Sequence, residues 1–167
     1  EEEASGNVTM YIGENQLSFR AGPTVLHTRL LEGPFPDYNA VIPKDNDKDL
    51  TVDKADFAQA IRRVSITADR ITSQIRLGVE SGRMELTAQG TEGSQSEDEI
   101  AVAYEGDAME IGFNYSHLQD ILKNIRAETV VLSLRESQSA ALIKPVTEDG
   151  EETGLLCLLM PLRLAGD

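Results

Sequence analysis

The chain has 167 residues, 40% of them hydrophobic and none of them tryptophan, and its formal net charge is −14 at pH 7. This length accommodates one complete domain and part of another, and the chain has neither an apolar run of about 20 residues, as a membrane span requires, nor a signal-peptide pattern. The negative charge argues against nucleic-acid binding over the whole surface, although it is compatible with a local basic face.

The single cysteine, Cys157, lies within the run Leu-Leu-Cys-Leu-Leu. One thiol excludes an internal disulfide framework. Its apolar neighbours indicate a buried core thiol rather than a nucleophile. A cytoplasmic protein is therefore expected.

A β-hairpin pattern occurs three times along the chain. In the first copy, residues 8–21, apolar and polar residues alternate on both sides of a Gly-Glu-Asn turn. A second copy over 75–88 has apolar residues at the same places, and a weaker third copy covers 130–143. Alternation of period two interrupted by turn residues is the signal of a hairpin. A helical pattern precedes the second and third copies but not the first, so we expect the chain to begin within a domain.

Residues 33–49 form a connector between the first two copies. The segment holds three of the six prolines and ends in a run rich in Asp, Asn and Lys. Proline fixes φ and lacks the N–H that a β-ladder needs, which predicts an extended linker rather than a core element. We therefore expect a domain boundary here.

Two amphipathic helices are expected, over residues 53–68 and 115–126. Asp53 suits the N-cap of the first, and Asn114 or Ser116 that of the second. Each helix has one apolar stripe that faces the core. The stripe residues are Phe57, Ile61, Val64 and Ala68 in the first helix and Leu118, Ile121, Leu122 and Ile125 in the second. The basic residues off these stripes are Arg62, Arg63, Lys123 and Arg126.

The remaining strands complete a repeated order. A strand over 50–52 precedes the first helix, and strands over 97–104 and 109–113 follow the second hairpin. An acidic loop over 146–154 and a closing strand over 155–164 follow the third. The order is therefore three strands, a linker and two β-α-βββ units. We expect an α+β fold in which sheets form one face and helices cover the other.

The sequence contains no pattern typical of catalysis. His27 and His117 have no Cys or carboxylate at ligand spacing, so no metal or other cofactor is expected. Glu97, Asp98 and Glu99 are adjacent, and neighbours on a strand point to opposite faces, which favours a solvated or partner-facing edge over an acid–base pair. A binding protein is indicated. The alternative is a hydrolase using Glu97, Asp98 and His117, whose turnover a carboxylate substitution would abolish.

The outward basic residues of both helices could bind phosphates by sequence-independent attraction. The alternative, which the pattern alone favours, is that they only keep an exposed helix face soluble.

Three separated segments resemble the bacterial β sliding clamp, the processivity subunit of the replicative DNA polymerase. They are FPDYNAVIP at 35–43, MEIGFNYSHLQDIL at 109–122 and LLMPLRL at 158–164. The resemblance covers nearly the whole chain and implies the DNA clamp fold, with repeated β-α-βββ units, antiparallel sheets outside and helices on the DNA-facing side. It also implies that residues 1–47 are the C-terminal end of clamp domain II with its linker, and that residues 48–167 are the complete domain III.

The function implied by this resemblance is that of a noncatalytic processivity factor. The family encircles duplex DNA as a head-to-tail dimeric ring and contacts its phosphates without reading base sequence. The implied DNA-facing residues are Arg62, Arg63, Lys123 and Arg126. The alternative is a truncated, clamp-derived module that binds partner peptides without encircling DNA.

The family also docks DNA polymerases, the clamp loader and repair proteins through a motif of the type Gln-Leu-x-Leu-Phe, in a pocket that apolar side chains line. The matching positions here are Pro36, Val41, Asn114, His117, Met160, Pro161, Leu162 and Arg163. Ala40 stands where the family usually has Arg, and His117 where Tyr is common. Residues 165–167 extend past the usual end. The other wall of the pocket lies upstream in the family, so weak peptide binding is expected.

Ring closure in the family joins the third domain to the first domain of a second subunit. The matching positions are Ile66, Thr67, Glu97, Asp98, Glu99 and Ile100. The acidic run would face basic side chains of that subunit. Without the first domain, this chain is not expected to close the normal ring.

Overall fold

The structure is a computed structural model that describes residues 6–147 and 154–164. Most of the predicted acidic loop over 146–154, and the extension over 165–167, lie outside these residues. The chain divides into two compact units, residues 1–38 and 39–167. This division falls earlier than residue 48, where the sequence places the start of a complete domain, and the assignment of the two parts to clamp domains stays a prediction.

The first unit contains a three-stranded antiparallel sheet. Its strands are β1 (Val8–Ile12), β2 (Gln16–Ala21) and β3 (Thr24–Arg29), paired in the order β1-β2-β3. Met10 lies opposite Phe19, and Phe19 lies opposite Leu26. The predicted first hairpin is therefore present, and β3 follows it as the third of the three expected strands.

The second unit contains two helices and eight strands among the described residues. One short 3-10 helix covers Tyr38–Ala40, and another covers Thr91–Gly93. The elements are β4 (Lys48–Asp53), α1 (Lys54–Val64), β5 (Gln74–Glu80), β6 (Arg83–Gln89), β7 (Gln95–Ala101), β8 (Met109–Asn114), α2 (Tyr115–Asn124), β9 (Thr129–Leu134), β10 (Ala141–Val146) and β11 (Cys157–Leu159). The β-α-βββ order occurs twice, as the alternation and the helical stripes predict.

The strands form two antiparallel sheets, in the orders β11-β10-β9-β4 and β7-β6-β5-β8. Each sheet takes three consecutive strands from one β-α-βββ unit and the leading strand from the other. Val52 of β4 lies opposite Val130 of β9, and Ile75 of β5 lies opposite Phe113 of β8. The two units therefore exchange their first strands, so that neither sheet is complete without both.

One hydrophobic core joins the sheets and both helices. The stripe residues Phe57 and Ile61 of α1 and Leu118 of α2 are fully buried in it. So are the inward-facing residues of the sheets, such as Leu77 and Leu132. Each such side chain contributes about 1.5–3 kcal/mol of transfer free energy. This burial fixes which side of each helix faces outward.

Both helices end earlier than the sequence predicts. Helix α1 ends at Val64 rather than residue 68, and the backbone N–H of Ser65 bonds to the carbonyl of Ile61. The hydroxyls of Thr67 and Ser96 donate to the carbonyl of Val64, which satisfies the helix end. Helix α2 ends at Asn124 rather than residue 126. The fourth stripe residues of the two helices, Ala68 and Ile125, are nevertheless buried.

Each helix is capped at its start by a side chain that accepts hydrogen bonds from backbone N–H groups two or three residues further on. Asp53 caps α1, because its side chain accepts a hydrogen bond from the backbone N–H of Asp56. Of the two candidate caps for α2, Asn114 is the one that forms. Its Oδ1 accepts from the N–H groups of Ser116 and His117 at 2.9 and 3.4 Å.

Two predicted strands are shorter than expected or displaced. Strand β7 covers Gln95–Ala101 instead of 97–104, and Ala103 forms only a single bridge with Thr51. The predicted closing strand over 155–164 is reduced to β11, followed by one bridge between Leu162 and Gly112. Pro161 lacks the N–H needed to continue a ladder, which accounts for the interruption.

Candidate functional site

Helices α1 and α2 contact each other, and a cleft of about 470 Å³ lies between them. Its lining residues are Lys54, Ala55, Ala58, Arg62, Gln119, Leu122 and Lys123. Three of these side chains are cationic, and the two alanines leave room between the helices. A cleft with small apolar residues and a cationic rim suits a phosphate or another anion.

Two of the four basic residues predicted to face DNA line this cleft. Arg62 is exposed on α1, and Lys123 is exposed in the last turn of α2. Arg126 is exposed just after α2. Both cleft residues lie off the apolar stripes, so burial of the stripes turns them outward.

The third cation of the cleft, Lys54, was missed by the sequence analysis. It is half-buried at the start of α1, and its Nζ donates to the carbonyl oxygen of Ile125 at 2.8 Å. That carbonyl lies at the C-terminal end of α2, where helix carbonyls lack partners and a positive charge is favourable. Lys54 therefore holds the start of one helix against the end of the other. Only tertiary structure reveals this contact.

The fourth predicted DNA-facing residue, Arg63, has a different neighbour. Its Nε donates to Oδ2 of Asp98 on β7 at 2.5 Å. Asp98 is among the residues that the resemblance places at a ring interface. The structure thus joins one residue from each predicted surface in an ion pair.

The residues predicted to dock a peptide come from two adjoining segments and two separate positions. Asn114 and His117 lie where β8 meets α2, and Met160 to Arg163 follow β11. The two segments meet at the bridge between Gly112 and Leu162, where the N–H of Leu162 donates to the carbonyl of Gly112 at 2.8 Å.

The exposure of these side chains differs. Met160 and His117 are exposed, whereas Pro161 and Leu162 are half-buried. Val41 is exposed just after the 3-10 helix. Pro36 belongs to the first unit, whereas the other predicted docking residues belong to the second.

The residues predicted to close a ring lie at the end of α1 and on β7. Ile66 is 83% exposed, and the hydroxyl oxygen of the neighbouring Thr67 lies against that of Ser96. Strand β7 is an edge strand of its sheet. Along it Glu97 and Glu99 are exposed, whereas Asp98 and Ile100 are half-buried, as alternation requires.

A second exposed isoleucine, five residues after Ile66 in the chain, was missed. Ile71 is 93% exposed in the turn between α1 and β5. Oδ1 of Asp69 accepts hydrogen bonds from the N–H groups of Ile71 and Thr72, both at 2.9 Å. These backbone bonds, from Thr72 first and Ile71 second, lower the pKa of the Asp69 carboxyl. The pattern Asp-x-Ile-Thr was the available signal, because Asp commonly organises such turns.

The groups considered for catalysis are not brought together. Asp98 pairs with Arg63, and His117 lies in the first turn of α2. His27 contacts the hydroxyl of Ser18 through Nδ1 at 2.7 Å. Within residues 6–147 and 154–164, no group of three His, Cys, Asp or Glu side chains could hold a metal ion.

Cys157 is half-buried against the core rather than fully buried as predicted. Desolvation raises the pKa of its thiol, which disfavours the reactive thiolate. In the part of the chain that the structure describes, no helix has the length and apolar character to cross a membrane.

Residues 39–162 match the family model described as DNA polymerase III beta subunit, C-terminal domain. A beta sliding clamp of Pseudomonas putida is 33% identical over 162 residues, covering 97% of this chain and 43% of that protein. One from Caulobacter vibrioides is 34% identical over 163 residues, covering 98% and 43%. The solved sliding clamp of Bartonella birtlesii, bound to griselimycin, is similar with a TM-score of 0.85 and 33% identity, again covering 98% and 43%. The chain therefore spans less than half the length of these relatives.

Proposed function

Because the chain belongs to the bacterial β sliding clamp family, of which it matches the C-terminal domain of the DNA polymerase III beta subunit, we propose that it serves as part of a processivity factor. In this role it helps to hold the replicative DNA polymerase on duplex DNA in the cytoplasm and catalyses no reaction itself. The two parts of the chain are proposed to be the end of clamp domain II with its linker, residues 1–47, and domain III, residues 48–167.

The cationic cleft between α1 and α2 is the observation that best supports contact with DNA. The chain is strongly acidic overall, yet Lys54, Arg62 and Lys123 lie together around this cleft. Phosphates attract such a group without regard to base sequence, as sliding requires. Arg126 extends the proposed DNA-facing surface. Arg63 belongs to it only when its ion pair with Asp98 opens.

A titration with a short DNA duplex tests this role. We expect the amide NMR signals of α1 and α2 around Arg62 and Lys123 to shift, and the binding to weaken as salt is raised. The double variant Arg62→Glu/Lys123→Glu should abolish the shifts. The control Arg20→Glu/Arg29→Glu makes the same total change of charge at two exposed positions of the first unit and should leave them in place. Equal loss in both variants would show that only net charge matters and would contradict a DNA-facing cleft.

A second part of the proposed function is docking of partner proteins. Met160, Pro161 and Leu162 offer apolar side chains beside the start of α2, which suits the Leu and Phe of a Gln-Leu-x-Leu-Phe peptide. Oδ1 of Asn114 already accepts the capping hydrogen bonds, so its amide Nδ2 is the group it offers to a peptide. His117, Arg163 and Val41 complete the proposed docking residues of the second unit. DNA polymerases, the clamp loader and repair proteins are the proposed partners.

The third part is ring closure with a second subunit in the longer protein. Ile66 and Thr67 would contribute an apolar contact, and Glu97 and Glu99 would face basic side chains of that subunit. Ile100, on the edge strand β7, would pack against the second subunit. Asp98 is engaged by Arg63, so we assign it the task of holding β7 against α1.

A further inference from the structure

The segment after β11 crosses from one sheet to the other. Cys157–Leu159 pairs with β10 in the first sheet. A few residues later, Leu162 pairs with Gly112 on β8, an edge strand of the second sheet. The segment between these two pairings contains Met160 and Pro161, which belong to the proposed docking surface. Its position therefore depends on how closely the chain can approach β8.

Gly112 makes that close approach possible. A Cβ atom at this position would lie 2.8 Å from the carbonyl oxygen of Leu162 and 2.8 Å from Cδ2 of Leu164. It would also lie 2.9 Å from Nε2 of Gln74. The first of these atoms belongs to the backbone, so any side chain at position 112 would push the crossing segment away.

Gln74 fixes the same segment from the adjacent strand. It lies on β5 opposite Asn114, the cap of α2. Its Nε2 donates to the carbonyl oxygen of Arg163 at 2.9 Å. One side chain therefore links the strand beside the α2 cap with the last proposed docking residue.

We propose that Gly112 and Gln74 are positioning residues of the peptide-docking surface, an inference that rests on the proposed docking function. Neither residue needs to touch the peptide. Gly112 sets the distance between β8 and the segment from Met160 to Arg163, and Gln74 sets the orientation of its end. Together they place the side chains of Met160 and Leu162 at a fixed separation from His117 and Asn114. A docking groove requires such a fixed separation, because loosely held walls lose complementarity.

The test is an NMR titration of the full chain with a Gln-Leu-x-Leu-Phe peptide, using two pairs of variants. Gly112→Ala is matched by Gly78→Ala on β5, where a Cβ would have its nearest neighbours at 3.9 Å, an ordinary contact. Gln74→Met removes the donor while keeping the length of the side chain. Gln74→Lys restores a donor at the end of a flexible chain.

We expect Gly112→Ala and Gln74→Met each to weaken peptide binding by about tenfold, which is the order of one lost hydrogen bond. Gly78→Ala should bind as the wild type does, and Gln74→Lys should recover most of the affinity. In the free protein, Gly112→Ala should also speed hydrogen exchange at the N–H of Leu162, which donates to Gly112. A purely structural role would instead lower thermal stability without distinguishing Met from Lys at position 74.

The possible results distinguish failure of the positioning role of Gly112 and Gln74 from failure of the docking function. If the wild type binds the peptide and both Gly112→Ala and Gln74→Met bind equally well, the positioning role is wrong and docking stands. If signals from the docking residues of the wild type do not respond at millimolar peptide, the docking function is wrong and the inference falls with it. Should Gly112→Ala fail to fold, the Met and Lys variants of Gln74 decide alone.

Discussion

The three-strand group β1–β3 and the group β5–β7 share one sequence pattern but differ in their surroundings. Met10 of β1 is 52% exposed, whereas Leu77 of β5, at the matching place in its own hairpin, is fully buried. In the second group, strand β8 completes the sheet and α1 packs against β6 and β7. In the first unit, the described residues form three strands and no α-helix. Alternation thus determines which residues share a face, and a covering layer determines whether that face is buried.

The largest expected effect is the difference in lost stability between two substitutions that each shorten an apolar side chain to alanine. Leu77→Ala should lower the free energy of unfolding of the second unit by about 2–5 kcal/mol, because it leaves a cavity in a packed core. Met10→Ala should change stability by less than about 0.5 kcal/mol, as surface substitutions do. Urea unfolding followed through the NMR signals of each unit measures both. Similar losses would mean that the outer face of β1 is covered and that the contrast between the two groups is wrong.

An intermediate effect is expected from two ion pairs. Arg63–Asp98 joins α1 to β7, and the Asp98 side chain is 20% exposed. Arg29–Glu32 lies in the first unit, with the Glu32 side chain 86% exposed. Asp98→Asn should cost about 0.5 kcal/mol of stability, and Glu32→Gln should have almost no effect. The same urea experiment measures this difference. A larger loss for Glu32→Gln would contradict the view that covering elements decide the strength of a contact.

The smallest effect is local and concerns the turn after α1, where Ile71 is exposed, as Met10 is in the first unit. Hydrogen bonds from Thr72 and Ile71 lower the pKa of Asp69 below 3.8, its ordinary value. The stabilisation is therefore complete above about pH 3.8 and is lost as the pH falls through the lower pKa of the folded state. NMR should show the amides of Ile71 and Thr72 shifting only in that acidic range, and Asp69→Asn should abolish the response. A pKa for Asp69 at or above 3.8 would contradict this account of the turn.

The sequence predicts the elements that short-range rules control. The hairpins follow from alternation, the helices from their stripes, and the cap of α1 from Asp53. The ends of the elements are less accurate, since α1 stops where Thr67 and Ser96 meet the carbonyl of Val64. That termination depends on a residue of β7 and is invisible in local sequence.

The features that the sequence does not predict are contacts between distant residues. Nothing in the alternation shows that β4 pairs with β9. Nδ2 of Asn46 donates to the carbonyl oxygens of Ser133 and Ala140, and Asp45 pairs with Arg135, which ties the segment before β4 to the end of β9 and to the connection between β9 and β10. The same holds for Lys54 in the cleft and for Asp98 beside Arg63. Family resemblance selects candidate surfaces, but only coordinates show which charges are already paired.

The exchange of leading strands has a consequence for synthesis on the ribosome. Lys48 of β4 bonds to the carbonyl of Arg135, just after β9, and the two are 87 positions apart in the chain. At about 5–20 residues per second, roughly 4–17 s pass between the emergence of β4 and that of its partner. During that interval Leu50 and Val52 have no sheet to join, and closing so long a loop adds an entropic cost. The nascent chain therefore depends on delayed pairing, and its folding rate should be limited by this late, long-range step.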